Sequence, residues 1–113
     1  MYLNRVELIG FVGGDAMAKD LEGGKTVTNF SVATKTSWKE KDSSEYAERT
    51  EWHNVAAWGS LGKYAGNLKK GAHVRVVGEL RSREYQKDGV TCKTYEIVAS
   101  EIQNLRPSKK EVG

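Results

Sequence analysis

Trp52 and Trp58 stand six residues apart in a segment that alternates along a strand period, so both fall on one face together with Asn54 and Ala56. Arg81, Arg83 and Tyr85 repeat the device, with two cations and an aromatic ring on one face of a second strand. Indole and phenol rings stack on nucleobases, and guanidinium groups neutralise phosphates. An array of this kind holds a single strand without reading its sequence. Trp38 adds to it, because the polar, mixed-charge run 35–49 around it has nothing with which to form a core. Each member also has a plainer role. A tryptophan on an alternating strand serves equally as core, and an arginine pair serves as a solvated strand face.

Catalytic chemistry has weaker support. The two histidines, His53 and His73, lie in separate predicted strands, and no further ligands stand at the short spacings a zinc site needs. Gly24-Lys25-Thr26 has the ending of a phosphate loop, but Lys19 occupies the place of its first glycine and a strand follows instead of a helix. Glu51 shares a face with His53, yet no nucleophile stands near them, so a salt bridge or an interface contact explains the pair. The single cysteine, Cys92, excludes an internal disulfide and fits the barrel pattern as a small buried hydrophobe. These residues offer no enzyme, no metal site and no cofactor.

The elements that must position the aromatic and cationic residues follow from periodicity. Strands are predicted over 5–12, 26–34, 50–58, 72–86 and 90–99, with a solvated hairpin arm between the second and third. Over 60–70, Leu61, Tyr64, Ala65 and Leu68 form one apolar helical stripe, with Ser60 as N-cap and Gly71 past the end. Gly78 inside the fourth strand marks a bulge or bend, and Asp88-Gly89 a turn. Three strands, a helix and two strands are the order of an OB-fold, a five-stranded Greek-key barrel. The domain is expected over 1–105, with the arm around 35–50 and a disordered basic end at 106–113.

Composition adds bounds. The 113 residues suit one domain, 38% hydrophobic and 29% charged. Of the net charge of +3, the last eight residues supply two, so basicity alone does not identify a nucleic-acid partner. No apolar run approaches the roughly 20 residues of a membrane helix, and Glu7 interrupts the N-terminal apolar stretch, so a cytoplasmic location is expected.

The motifs together resemble the DNA-binding domain of the bacterial single-stranded DNA-binding protein family. The matching stretches are Asn4-Arg5-Val6-Glu7-Leu8-Ile9-Gly10, Phe30-Ser31-Val32-Ala33-Thr34 with Ser37-Trp38, and Thr50-Glu51-Trp52-His53-Asn54-Val55 with Trp58-Gly59. Leu68-Lys69-Lys70-Gly71 and Gly78-Glu79-Leu80-Arg81-Ser82-Arg83 complete a match over about residues 3–105. The resemblance implies sequence-tolerant single-stranded DNA binding in replication, recombination and repair, without catalysis, cofactor or metal. It implies base stacking on Trp38, Trp52, Trp58 and Tyr85, and phosphate contacts from Arg5, Lys70, Arg81 and Arg83. It further implies a homotetramer with His53 at a subunit interface, in the cytoplasm at the nucleoid.

Departures from the family pattern matter locally. Trp58 stands in place of the common Phe, and Tyr85 in place of Trp; both keep a π-face. Asn54 stands where an arginine often follows the Trp-His pair, and Ser60 where a lysine follows the glycine. Each lost phosphate contact flattens the salt dependence by about 0.7 log units per decade. The family's long tail with an acidic tip has no counterpart in the basic stretch 106–113, so tail-mediated partners are not expected of this chain. Rival readings are a protein-interaction OB module such as a primosome accessory subunit, a cold-shock-type RNA binder, and, least of all, a small nuclease.

Overall fold

The computed structural model describes residues 1–106. Its elements run β1 (Val6–Val12), β2 (Met17–Leu21), β3 (Lys25–Lys39), β4 (Tyr46–Trp58), α1 (Gly59–Ala65), β5 (His73–Lys87) and β6 (Val90–Asn104). Five strands close a barrel in the order β1-β5-β6-β4-β3, and the pairs Phe11↔Ala33 and Val12↔Val32 complete the ring. This is the OB-fold that the element order predicts, with the helix between the third and fourth barrel strands.

Alternation explains the core. Phe30 and Val32 of β3, Val55 and Ala57 of β4, Val74 and Val76 of β5, and Ile97 and Ala99 of β6 point inward as one cluster with Val12. Alternate neighbours such as Asn29 and Asn54 are exposed, although Ala56 and Val77 are covered as well. β-Branched residues suit pleated strands, and each large side chain fully buried contributes about 1.5–3 kcal/mol. Ala65 and Leu68 plug one end of the barrel, and the Thr28 hydroxyl ties the helix down by donating to the Gly62 carbonyl.

Several boundaries differ from the periodicity. β2 was not expected: its residues are exposed apart from half-buried Leu21, so no apolar alternation announces it, and it rides on the outside of β3. The helix is shorter than 60–70. Trp58, not Ser60, holds the N-cap position without any side-chain cap, and the chain leaves the helix at Gly66. Leu68 still reaches the core through a turn in which its N–H donates to the Ala65 carbonyl at 3.0 Å, whereas Tyr64 is left exposed. β3 and β4 stay paired as far as Lys39↔Tyr46, because a backbone ladder needs no apolar side chains. β6 runs on to Asn104, past a bulge that leaves Ser100 without a partner between Ala99 and Glu101.

Gly78 lies at this bulge. A Cβ there would stand 2.3 Å from the Val98 carbonyl oxygen, so only glycine lets the two strands cross this closely. Beyond it, β5 and β6 leave the barrel as a two-stranded ribbon that turns at Asp88-Gly89, both at positive φ. A second ribbon, the outer part of β3 and β4, turns through residues 40–45. The predicted disorder of 106–113 falls, Arg106 apart, outside the described residues.

Candidate nucleic-acid interface

Val55 and Ala57 point into the core, so Trp52, Asn54 and Trp58 are turned outward on β4 by strand alternation. Across the ladder they face Ala33, Ser31 and Val27 of β3, and Asn29 lies opposite Ala56. These cross-strand partners leave both indoles partly uncovered: Trp52 is 60% exposed and Trp58 47%. The Trp52 ring lies over Gly13, where a Cβ would come within 2.2 Å of it. Gly13 is further held by its N–H donating to the Ser31 carbonyl at 3.0 Å. The role of Gly13 as the floor beneath an aromatic ring exists only in the fold.

Arg81, Arg83 and Tyr85 alternate on one face of the β5–β6 ribbon, opposite Glu96, Thr94 and Cys92. Tyr85 is 46% exposed. An open hollow of about 290 Å³ joins this face to the first: Asn29, Ser31 and Asn54 line one side, Arg83, Thr94 and Glu96 the other. The two arrays read separately in the sequence are therefore neighbours across the β4–β6 seam, where pairing is limited to Val55↔Ile97 and Ala56↔Val98. Cys92 is not a core residue as expected. It lies half-buried on the ribbon, because β6 has left the barrel before reaching it.

Trp38 and His53 sit elsewhere. Trp38, 45% exposed and opposite Ala47, belongs to the other alternation of the β3–β4 ribbon from Trp52. His53 is half-buried, with Nε2 2.9 Å from the Thr34 hydroxyl, on the side of β4 away from Trp52. Arg5 precedes β1 instead of beginning it, and shares a second hollow with Arg81. Lys70 is exposed on the turn after the helix, its backbone N–H donating to Asp15 Oδ1 at 3.0 Å. Gly71 beside it donates to the Val12 carbonyl, which brings that turn next to Gly13.

The cations are not equivalent. Arg5, Lys70 and Arg83 make no ion pair among the described residues, whereas Arg81 is held by Glu79 and Arg75 by both Glu7 and Glu101. The hydrogen bond that Arg75 Nε donates to Glu7 is the foremost cause that raises the Arg75 guanidinium above its ordinary value. Two further residues escaped sequence reading. Tyr95 is exposed and alternates to the other face of the β5–β6 ribbon from Tyr85, yet it lines the Asn54–Arg83 hollow and a neighbouring one with Trp52, with Lys93 Nζ 5.7 Å from its ring centre. Asn4 uses its side-chain amide as a surrogate peptide group, donating to and accepting from the Leu80 backbone at 2.9 Å each. Among the described residues no group of three or more His, Cys, Asp or Glu is arranged to hold a metal, and no helix is long and apolar enough to cross a membrane.

The model of the single-strand binding protein family matches residues 3–105. The chain belongs to this family. The single-stranded DNA-binding protein of Neisseria meningitidis serogroup A is 44% identical over the whole of this chain, which spans 66% of that protein. Single-stranded DNA-binding protein 1 of Xylella fastidiosa is 42% identical over 91% of this chain and 77% of its own length. Among solved structures, the Plasmodium falciparum SSB complex with ssDNA matches with a TM-score of 0.83 at 29% identity, covering 94% of this chain and 97% of that one. A deletion mutant of the single-stranded DNA binding protein from Thermus aquaticus matches at 0.79 and 27% identity, over 92% of this chain and 51% of that one. The relatives are named as DNA-binding proteins, and none of these names is an enzyme's.

Proposed function

We propose that this chain binds single-stranded DNA with little sequence preference and protects it during replication, recombination and repair. Bases stack on Trp38, Trp52, Trp58 and Tyr85, and phosphates meet Arg5, Lys70, Arg81 and Arg83. The observation that carries this reading is the continuity of two outward faces, with half-exposed Trp52 and Trp58 on one and Arg83 meeting Asn54 across a shared hollow on the other. Any base has a π-face and any nucleotide a phosphate, so such a surface is sequence-tolerant. The named ligand of the Plasmodium relative agrees with it. The domain carrying this activity is residues 1–105, acting in the cytoplasm at the nucleoid, with no cofactor and no catalytic step.

The test is quenching of tryptophan fluorescence on titration with oligo-dT, repeated at high salt and against a duplex. Strong quenching by oligo-dT that weakens with salt, with little response to duplex, is the expected result. Absence of quenching overturns the reading in favour of a protein-interaction module.

The assembly in this reading is a homotetramer. β1 pairs with β3 only at Phe11 and Val12, so residues 6–10 offer an open backbone edge on that side. Ile9 and Phe11 add exposed apolar surface next to it, and the Thr34–His53 contact lies beyond. Light scattering tests this, and a strictly monomeric mass refutes it.

A further inference from the structure

Arg81 and Arg83 stand two residues apart on one strand face, yet their surroundings differ. The Arg81 guanidinium donates from Nη2 to Glu79 Oε2 at 3.0 Å and from Nε to the same oxygen at 3.3 Å. Both side chains are at least half exposed, and Arg83 has no such partner among the described residues. Glu79 and Arg81 also line, with Arg5, Asn4 and Ser100, a hollow of about 360 Å³ on the β1 side of the ribbon. Asn4 fastens residues 3–5 to Leu80, so Arg5, Arg81 and Glu79 line one concavity.

We infer that Glu79 sets the affinity of this surface for single strands by occupying Arg81, so that Arg81 reaches a DNA phosphate only by exchanging a carboxylate for it. This rests on the single-stranded DNA reading above. The exchange has a definite signature. A cation that neutralises a phosphate normally releases a condensed counterion, giving about 0.7 log units of salt slope on single strands. Arg81 leaving Glu79 uncovers an anion that takes up a cation from solution, so its contact adds little net release. Arg83, with nothing to exchange, contributes in full. An exposed pair of this kind is weak, so the effect on affinity is a modulation and not a block.

The experiment is a set of oligo-dT titrations of the intact chain over a series of salt concentrations, for wild type, Glu79→Gln, Arg81→Gln, Arg83→Gln and the double variant Glu79→Gln/Arg81→Gln. Glu84→Gln, which removes the same charge from the opposite ribbon face, controls for net charge. The expected results are about two- to fivefold tighter binding at low salt for Glu79→Gln and a salt slope steeper by about 0.7. Glu84→Gln should leave the slope unchanged. Arg81→Gln should cost less than Arg83→Gln in the wild-type background and as much once Glu79 is Gln. Glu79→Gln binding with the wild-type slope, or Glu84→Gln reproducing its effect, overturns the inference alone. Wild type failing to bind oligo-dT overturns the single-stranded DNA reading itself, and the inference with it.

Discussion

The outward face of β4 and the outward face of β1 both expose aromatic rings, and one register row across four strands joins them: Trp52, Ala33, Phe11, His73. At the β4 end, Trp52 lies over Gly13 and borders a hollow with Leu80 and Tyr95, and its neighbour Asn54 shares a second hollow with Arg83, which makes no ion pair among the described residues. At the β1 end, Phe11 is stacked on His73 with ring centres 4.6 Å apart, and exposed Ile9 lies beside it. The arginine of that region, Arg75, is bound by Glu7 at 2.7 Å and Glu101 at 3.3 Å. On the reading proposed above, exposed rings belong to a nucleic-acid surface where uncommitted cations lie beside them, and a ring next to neutralised charge and aliphatic surface suits contact with protein.

The comparison is most exposed to paired truncations. Trp52→Ala should cost about 1–3 kcal/mol in oligo-dT binding, with thermal stability little changed because the ring is mostly in solvent. Phe11→Ala should leave that affinity alone and lower the assembled mass in light scattering. If Phe11→Ala weakens DNA binding as Trp52→Ala does, the two regions are one surface.

Floor and ring can be separated next. Gly13→Ala removes no aromatic residue but forces the Trp52 indole off its seat, so its binding loss should approach that of Trp52→Ala and vanish in the double variant. Additive losses in a double-mutant cycle would mean Gly13 acts independently of the ring.

The cations give a smaller effect in a different observable. Arg83→Gln should flatten the salt dependence by about 0.7 log units per decade. Arg75→Gln should leave the slope as it is and strand two carboxylates, which a lower melting temperature would report. The weakest effect belongs to Tyr95. It alternates to the opposite ribbon face from Tyr85 yet lines the hollows that hold Arg83 and Trp52, so Tyr95→Ala should lower oligo-dT affinity by no more than the ~1 kcal/mol at the low end of a single stacking contact. A loss equal to that of Tyr85→Ala would extend the binding surface to both ribbon faces.

Much of the fold was legible in the sequence because β-strands that bury one face must alternate. Phe30 and Val32, Val55 and Ala57, and Val74 and Val76 declare their strands and their inward sides by period alone, and by the same rule declare Trp52, Trp58, Arg81 and Arg83 as outward. Turn chemistry at Asp88-Gly89 was equally local. β2 was invisible because its side chains do not enter the core, and the helix end at Gly66 was hidden because Leu68 keeps an apolar stripe intact through a turn that is no longer helical. What only the tertiary structure decided are relations between segments distant in sequence: Gly13 beneath Trp52, Asn4 on Leu80, Asn54 facing Arg83. Whether a cation is free or held, as Arg83 differs from Arg75, depends on distances across the barrel. Alternation is a property of one chain segment and its own backbone, whereas a close approach or an ion pair across strands exists only once closure has brought the segments together.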